Sequence, residues 1–150
     1  MKMPILITIA GFAIGFAVPA LAQEKDSVDP EVRQQIEAEL VKYDDAFNKH
    51  DAVAIADLFA LDAVEVFGWE SEGGAVFGQQ AIQKRYAVNL AAGMNNHAIK
   101  LVQAYPIGSE VCAISKETVA QWSNSAVRIY VRDADTWKIK SAYVITTVTH

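Results

Sequence analysis

The chain has 150 residues, enough for one ordinary domain. Apolar residues make up 52% and charged residues 21%, a globular composition that excludes a disordered chain. The formal net charge is −5 and no cluster of Lys and Arg could follow a phosphate backbone, so we expect no nucleic acid partner.

The first 22 residues are typical of a secretory signal peptide. Lys2 is followed by an apolar run over residues 5–18, and the small residues Ala20 and Ala22 come next. The run is shorter than the roughly 20 residues of a membrane span. We predict cleavage after Ala22 and a periplasmic or secreted protein without membrane attachment; an uncleaved anchor is the alternative.

After cleavage, a short leader and one domain would remain. Residues 23–29 are polar and predicted to be flexible, and residues 30–150 form the domain. The single cysteine, Cys112, cannot form an intrachain disulfide. It lies in an apolar run and is interpreted as a buried core residue rather than a catalytic thiol.

Asp29 and Pro30 indicate the start of a helix, as cap and first helical residue. Apolar side chains then recur every three or four residues, which is one face of a helix. This face consists of Val32, Ile36, Leu40, Tyr43 and Phe47.

Two further helices and a strand follow. Asp51 can cap a short helix that ends near Leu61. Residues 63–69 are strand-like, and a glycine-containing loop comes after them. The spacing after Gly78 predicts a third helix, which Gly93 ends.

The rest of the chain is rich in β-branched and aromatic residues and predicts four long strands. They cover residues 96–105, 110–122, 125–133 and 136–148, with turns predicted at 106–109, 123–125 and 133–135. Such short turns make neighbouring strands antiparallel. Helices followed by strands predict an α+β fold, with three N-terminal helices packed on a curved antiparallel sheet. A curved sheet closed by a helix forms a cone with an interior.

Three motifs carry a family resemblance. They are YDDAFNKHDAVAIADLFALDAVEV, FGQQAIQKRY and TWKIKSAYV. In this order and spacing the chain resembles the SnoaL-like and ketosteroid-isomerase-like superfamily, whose fold is that of nuclear transport factor two. The resemblance covers about Val32 to Val148 and is greatest to the branch labelled a domain of unknown function. The superfamily contains isomerases, cyclases, dehydratases, epoxide hydrolases and assembly domains, so the fold does not decide the activity.

The resemblance implies candidate catalytic residues. Tyr43 matches the isomerase's helix tyrosine and could donate a hydrogen bond to an oxyanion, or it could be a core aromatic with a bonded hydroxyl. The isomerase's carboxylate position falls on Phe67, which cannot take a proton. Glu65 lies two residues earlier on the same strand face and is the alternative base, unless it is a solvated strand residue. His97 is the other acid–base candidate, with a structural role as its alternative.

A mostly apolar lining is expected around these groups, suited to a small apolar ligand. Alternation turns Lys116 and Glu117 to opposite faces of their strand, and the sequence does not decide which faces inward. The candidate substrate-binding residues are Phe47, Phe67, Trp69, Tyr86, Lys116, Tyr130 and Tyr143. The same aromatic side chains could instead fill the cone.

No two of the three histidines have metal-ligand spacing, so we expect no metal, and nothing in the sequence indicates another cofactor. The last strand is expected to place Trp137, Ile139, Ser141, Tyr143 and Ile145 on one face. Because its other face is also largely apolar, we predict a homodimer through the sheet.

The sequence therefore supports more than one function. The first hypothesis is an exported small-molecule enzyme of isomerase, cyclase or dehydratase type, with Tyr43 as donor and Glu65 or His97 as acid–base group. The second is an exported binding domain without chemistry. The third is a dimeric interaction or assembly module with a filled cone. Phe67 at the expected base position favours the second hypothesis over the first.

Overall fold

The computed structural model describes residues 27–68 and 74–147. The predicted signal peptide, most of the leader and Trp69 lie outside these residues. In chain order the elements are α1 (Pro30–Asn48), α2 (Ala52–Asp57), β1 (Phe59–Phe67), β2 (Gly74–Phe77), α3 (Gln79–Ala91), β3 (Ala98–Ile107), β4 (Glu110–Val119), β5 (Trp122–Asp133) and β6 (Thr136–Thr147).

Helix α1 begins and packs as its apolar spacing predicts. Pro30 is its first residue, and Ile36, Leu40, Tyr43 and Phe47 are all buried. The helix ends at Asn48, after which His50 has a positive φ of 57°. Asp51 then accepts a hydrogen bond from the Ala54 backbone N–H at 2.9 Å, the predicted cap of α2.

The described strands form one sheet in the order β2-β1-β6-β5-β4-β3. The four long strands, β3 to β6, pair antiparallel with one another, as predicted. The pair β1–β6 is parallel, and the chain passes through β2, α3 and the strands β3 to β5 before it returns beside β1. The helices pack on the inner face of this sheet, so the α+β prediction is confirmed. Strand β2 was not predicted, since it is only four residues long and begins with a glycine.

The boundary between α2 and β1, which begins at Phe59 rather than residue 63, and the position of the turn before β5 were predicted wrongly. Helix α2 ends at Asp57, because the carbonyl of the next residue, Leu58, accepts a hydrogen bond from Ile139 of β6 at 2.8 Å. The predicted turn over residues 123–125 lies inside β5. The chain turns at Ala120 instead, which has a positive φ of 52° and donates to the Asn95 carbonyl at 2.9 Å.

A bulge in β6 changes which side chains face inward. Ile139 pairs with Tyr130 and Ser141 pairs with Ile129, so Lys140 has no residue opposite it. One extra residue reverses the alternation from that point on. Trp137 and Ile139 are buried as expected, but after the bulge the inward residues are Ala142 and Val144. The prediction of one continuous face from Trp137 to Ile145 is therefore wrong.

Candidate functional site

The inner face of the sheet carries three ionisable side chains that are almost fully buried. Glu65 of β1, Glu117 of β4 and Arg128 of β5 are 0%, 4% and 1% exposed. Small neighbours make room for them, because Ala113 and Ala142 flank Arg128 on the adjacent strands. Buried charges are costly unless they are paired, so the partners of these groups determine their chemistry.

Glu65 is linked to two phenols from two helices. The Tyr86 hydroxyl of α3 donates to Glu65 Oε1 at 2.6 Å, and the hydroxyls of Tyr43 and Tyr86 lie 2.5 Å apart. All three side chains are at most 3% exposed. Burial raises the pKa of Glu65 to about 7, although the Tyr86 hydrogen bond and the Arg128 charge oppose the shift. Burial also raises the pKa of both tyrosines, so they are neutral donors.

Glu117 is paired with Arg128. Arg128 Nη1 donates to Glu117 Oε1 and also to Ser115 Oγ at 2.9 Å, and Ser115 donates to Glu117 Oε1 at 3.0 Å. Burial raises the pKa of Glu117, but the charge and hydrogen bond of Arg128 and the adjacent His97 together outweigh burial and hold that pKa at about 2. Arg128 Cζ also lies 4.9 Å from the centre of the Tyr43 ring, so it connects the ion pair to the phenol pair.

His97 lies between two carboxylates and is 4% exposed. Its Nδ1 is 2.6 Å from Asp44 Oδ1, and its Nε2 is 3.6 Å from Glu117 Oε2, an ion-pair distance rather than a hydrogen bond. The ring stacks on Phe47 with centroids 4.5 Å apart. Asn48 holds the His97 backbone at both its N–H and its carbonyl, at 2.9 and 2.8 Å. His97 is therefore rigidly positioned.

Several buried polar atoms in this layer have no hydrogen-bond partner among the described residues. They are Glu65 Oε2, His97 Nε2, Asn124 Oδ1, Arg128 Nε, Arg128 Nη2 and Tyr130 Oη. Such atoms are uncommon in native proteins, and each needs water or a ligand as its partner. These atoms include both hydrogen-bond donors and acceptors.

A cavity of about 780 Å³ lies at one end of the sheet. It extends from the C-terminal end of α3 to the hairpin between β4 and β5, and its volume is in the range of small-molecule sites. Apolar and neutral polar side chains line it. Among the residues that the structure describes, the lining consists of Gly68, Asn89, Ala92, Gly93, Met94, Val119, Ala120, Trp122, Asn124 and Thr146.

Solved structures resemble this architecture, whereas no protein-family profile and no curated protein sequence matches the chain. A Nostoc punctiforme domain of unknown function with a cystatin-like fold superposes with a TM-score of 0.69 at 13% identity, covering 81% of each chain. A ketosteroid isomerase-like protein from Erwinia carotovora gives 0.65 at 16% identity, covering 81% of this chain and all of its own.

A third similar structure is a Streptomyces avermitilis protein that is proposed to be a dehydratase of the nuclear transport factor two-like family. Its TM-score is 0.64 at 15% identity, covering 81% of this chain and all of its own. The chain has the nuclear transport factor two-like fold. Identities this low establish the fold and leave the activity open.

Within this nuclear transport factor two-like cone, the structure brings the three candidate catalytic residues into one layer. Tyr43 is joined to Glu65 through Tyr86, and the His97 ring centroid lies 5.4 Å from that of Tyr43. Tyr86 was predicted only as a lining residue, yet it is the link in the hydrogen-bond chain. None of these four side chains lines the cavity.

The predicted lining residues separate into an inner and an outer group. Phe47, Phe67 and Tyr130 are buried in the cone, with Arg85 Cζ 4.6 Å from the Phe67 ring centre. Lys116 and Tyr143 lie on the outer face of the sheet and are exposed. Glu117 rather than Lys116 faces inward, and the bulge in β6 turns Tyr143 outward.

Sequence reasoning missed Arg128 and Asn124. Arg128 carries a usable signal, because it occupies an inward position between Ala126 and Tyr130 in an alternating strand, where a charge needs a buried partner. Asn124 was hidden by Ser123 and Ser125, since Ser-Asn-Ser is typical of a turn. Pairing with β4 and β6 on both sides holds this stretch in the sheet instead.

Within residues 27–68 and 74–147, no group of three or more His, Cys, Asp or Glu could hold a metal ion. No helix in that same part of the chain is long and apolar enough to cross a bilayer. Cys112 lies half-buried on the outer face of β4. The prediction that it is a buried core residue is therefore wrong.

Proposed function

We propose that this chain binds a small, largely apolar molecule in the cone and performs acid–base chemistry on it, of isomerase, cyclase or dehydratase type. The observation that carries the proposal is the cavity of about 780 Å³, whose lining residue Asn124 lies directly opposite Glu117 of the buried ionisable layer. Titratable groups with shifted pKa values beside a cavity are typical of active sites.

Glu65 is the proposed acid–base group. Its pKa of about 7 lets it exchange a proton near neutral pH, and its Oε2 atom has no hydrogen-bond partner among the described residues. His97 is a weaker candidate, because Asp44 and Glu117 already hold its ring. That arrangement favours a positioning role.

The phenol chain connects the charge of Glu65 to Tyr43. When Glu65 is ionised, Tyr86 donates to it and Tyr43 donates to Tyr86. When Glu65 is protonated, it can donate to Tyr86, Tyr86 can donate to Tyr43, and the Tyr43 proton becomes available to a ligand oxygen. In this proposal the protonated state of Glu65 prepares Tyr43 as an oxyanion donor.

A ligand-induced thermal-shift screen of apolar carbonyl compounds on the mature protein tests the proposal. A compound that raises the melting temperature of the wild type and not that of Tyr43→Phe supports a polar role for Tyr43. Tyr105→Phe is the matched control, because Tyr105 lies on the outer side of β3 and should not alter binding. An absence of hits across the screen would contradict the proposal.

A second candidate function is a dimeric interaction module without a ligand. It is favoured by the close packing around Tyr43, which is 3% exposed and surrounded by Phe47, Tyr86, His97 and Arg128. A screen without hits, together with a stable dimer in solution, would favour this function over the first.

We also propose that the protein is exported and forms a homodimer. Residues 1–22 support export, and a mature N-terminus at Gln23 in the periplasmic or secreted fraction would test it. The exposed apolar side chains Val127, Tyr143 and Ile145 on the outer face of the sheet support dimerisation.

A further inference from the structure

Asn124 is a buried polar residue in the lining of the cavity. It lines the cavity, is only 7% exposed, and its Oδ1 atom has no hydrogen-bond partner among the described residues. An unbonded buried amide oxygen is costly, so this atom needs a hydrogen-bond partner. An amide oxygen only accepts hydrogen bonds, which means that the missing partner is a donor.

The neighbours of Asn124 define the charge that the partner can carry. Glu117 lies opposite Asn124 on β4 and Thr146 lies opposite it on β6. Directly opposed side chains on one face are close, so the Glu117 carboxylate is near this end of the cavity. Because no charged residue is among the described lining, nothing there compensates a ligand anion.

The rest of the lining favours a flat apolar body. Trp122 shares the inward direction of Asn124 by alternation along β5 and is 45% exposed, so its ring is accessible. Met94 and Val119 line the same cavity, and a thioether adapts well to an aromatic or alicyclic surface.

We propose that the cavity binds a neutral alcohol or phenol whose hydroxyl donates to Asn124 Oδ1 and whose ring contacts Trp122 and Met94. This inference deepens the proposed function by naming the ligand class, and it rests on that function. It makes Asn124 a specificity-determining residue that selects hydroxyl compounds over ethers and carboxylates.

The test compares three probes of nearly equal shape by isothermal titration calorimetry on the mature protein at neutral pH. Naphthol is neutral and donates, its methyl ether is neutral and cannot donate, and naphthoate is an anion. We expect naphthol to bind about tenfold more tightly than the ether, the effect of one hydrogen bond to a buried acceptor. We expect naphthoate to bind more weakly than both, since it would enter beside Glu117.

A matched pair of variants assigns the effect to one side chain. Asn124→Leu keeps the side-chain volume and removes the acceptor. The affinity for naphthol should therefore fall to that for the ether, and the affinity for the ether should not change. Asn89→Leu alters the same cavity from α3 and should change both affinities by the same factor. The comparison of probes on the wild type decides the proposal even where Asn124→Leu does not fold.

Each result separates this inference from the proposed function. Equal affinities for naphthol and its ether would overturn the inference and leave ligand binding intact, because water would then satisfy Asn124. Tightest binding of naphthoate would also overturn it. If none of the three probes binds, both the inference and the proposed binding of apolar aromatic ligands fail.

Discussion

Glu65 and Glu117 are both buried on the inner face of one sheet, yet the pKa of the first is raised to about 7 and that of the second lowered to about 2. Arg128 bonds directly to Glu117 and, with His97, lowers its pKa, whereas Arg128 acts on Glu65 through its charge alone. A pair of carboxyls whose environments separate their pKa values is the usual basis for dividing acid and base roles.

Glu65 should make the protein less stable as pH rises. A folded pKa of about 7 against an ordinary value of 4.5 means that the native state binds the proton more tightly than the unfolded state. Its stabilising effect is complete below the unfolded pKa and is lost as pH rises through the folded one. We expect the free energy of unfolding in urea to fall by up to about 3 kcal/mol from about pH 5 to about pH 8.

Glu65→Gln should remove most of this pH dependence, because the amide keeps an acceptor for Tyr86 and does not ionise. Glu31→Gln, on the exposed first turn of α1, should leave the dependence unchanged. Glu117 does not contribute to this pH dependence, because its lowered pKa affects stability only below this pH window. A wild-type profile that is flat across the window, or unaltered in Glu65→Gln, would argue against a raised pKa.

Removing the hydroxyl group of Tyr86 should lower the free energy of unfolding more than removing that of Tyr43. Tyr86→Phe leaves both the Tyr43 hydroxyl and Glu65 Oε1 buried without a partner, and we expect a loss of about 2–4 kcal/mol. Tyr43→Phe keeps the Tyr86–Glu65 bond, and we expect about 1 kcal/mol. Chemical denaturation of both variants measures the order, and equal losses would mean that Tyr86 is not the central link.

At the scale of elements, the register of the strands decides which residues meet. The bulge at Lys140 changes which residues of β6 face inward, from Trp137 and Ile139 before it to Ala142 and Val144 after it. The turn at Ala120 places Asn124 within β5. Alternation correctly predicts the opposite directions of Lys116 and Glu117, but it cannot choose between them. The pairing of β4 with β3 and β5 decides it, because this pairing fixes which face of β4 packs against the helices.

Gly78 sets the entry of α3 and therefore the position of Tyr86. Its φ of 85° and ψ of 148° are accessible almost only to glycine, and its N–H donates to the Ala63 carbonyl at 2.7 Å. Gly78→Ala should cost about 1–3 kcal/mol of unfolding free energy.

This cost would be conformational, because an added Cβ would meet the Leu61 carbonyl at an ordinary 3.5 Å. Gly108→Asn is the control. Its φ of 61° suits asparagine, so thermal unfolding should change little. Equal losses in the two variants would show that Gly78 has no special backbone role.

At the scale of the whole molecule, the sheet has two unlike faces. The inner face carries the ionisable layer under the helices, and the outer face exposes Val127 and Tyr143 as a cross-strand pair beside Ile145. Exposed apolar side chains gathered on one sheet face are typical of a protein interface.

Sedimentation equilibrium at micromolar concentration should therefore detect a dimer. Val127→Lys should shift it to monomer without loss of folding, because Val127 is 37% exposed and points away from the core. Val88→Lys, on the exposed side of α3 at 66% exposure, should leave the dimer intact. A wild-type monomer at these concentrations would refute the proposed dimer.

The amino-acid sequence by itself determined the α+β class, the buried face of α1, the position of α3 and the antiparallel pairing of the last four strands. These features follow from local spacing and turn chemistry, which act over a few residues. Only the tertiary structure decided that Tyr86 joins Tyr43 to Glu65, that Arg128 pairs with Glu117, and that Asn124 faces a cavity. Those contacts join residues distant in sequence, and their geometry depends on strand register, which one bulge or one displaced turn changes.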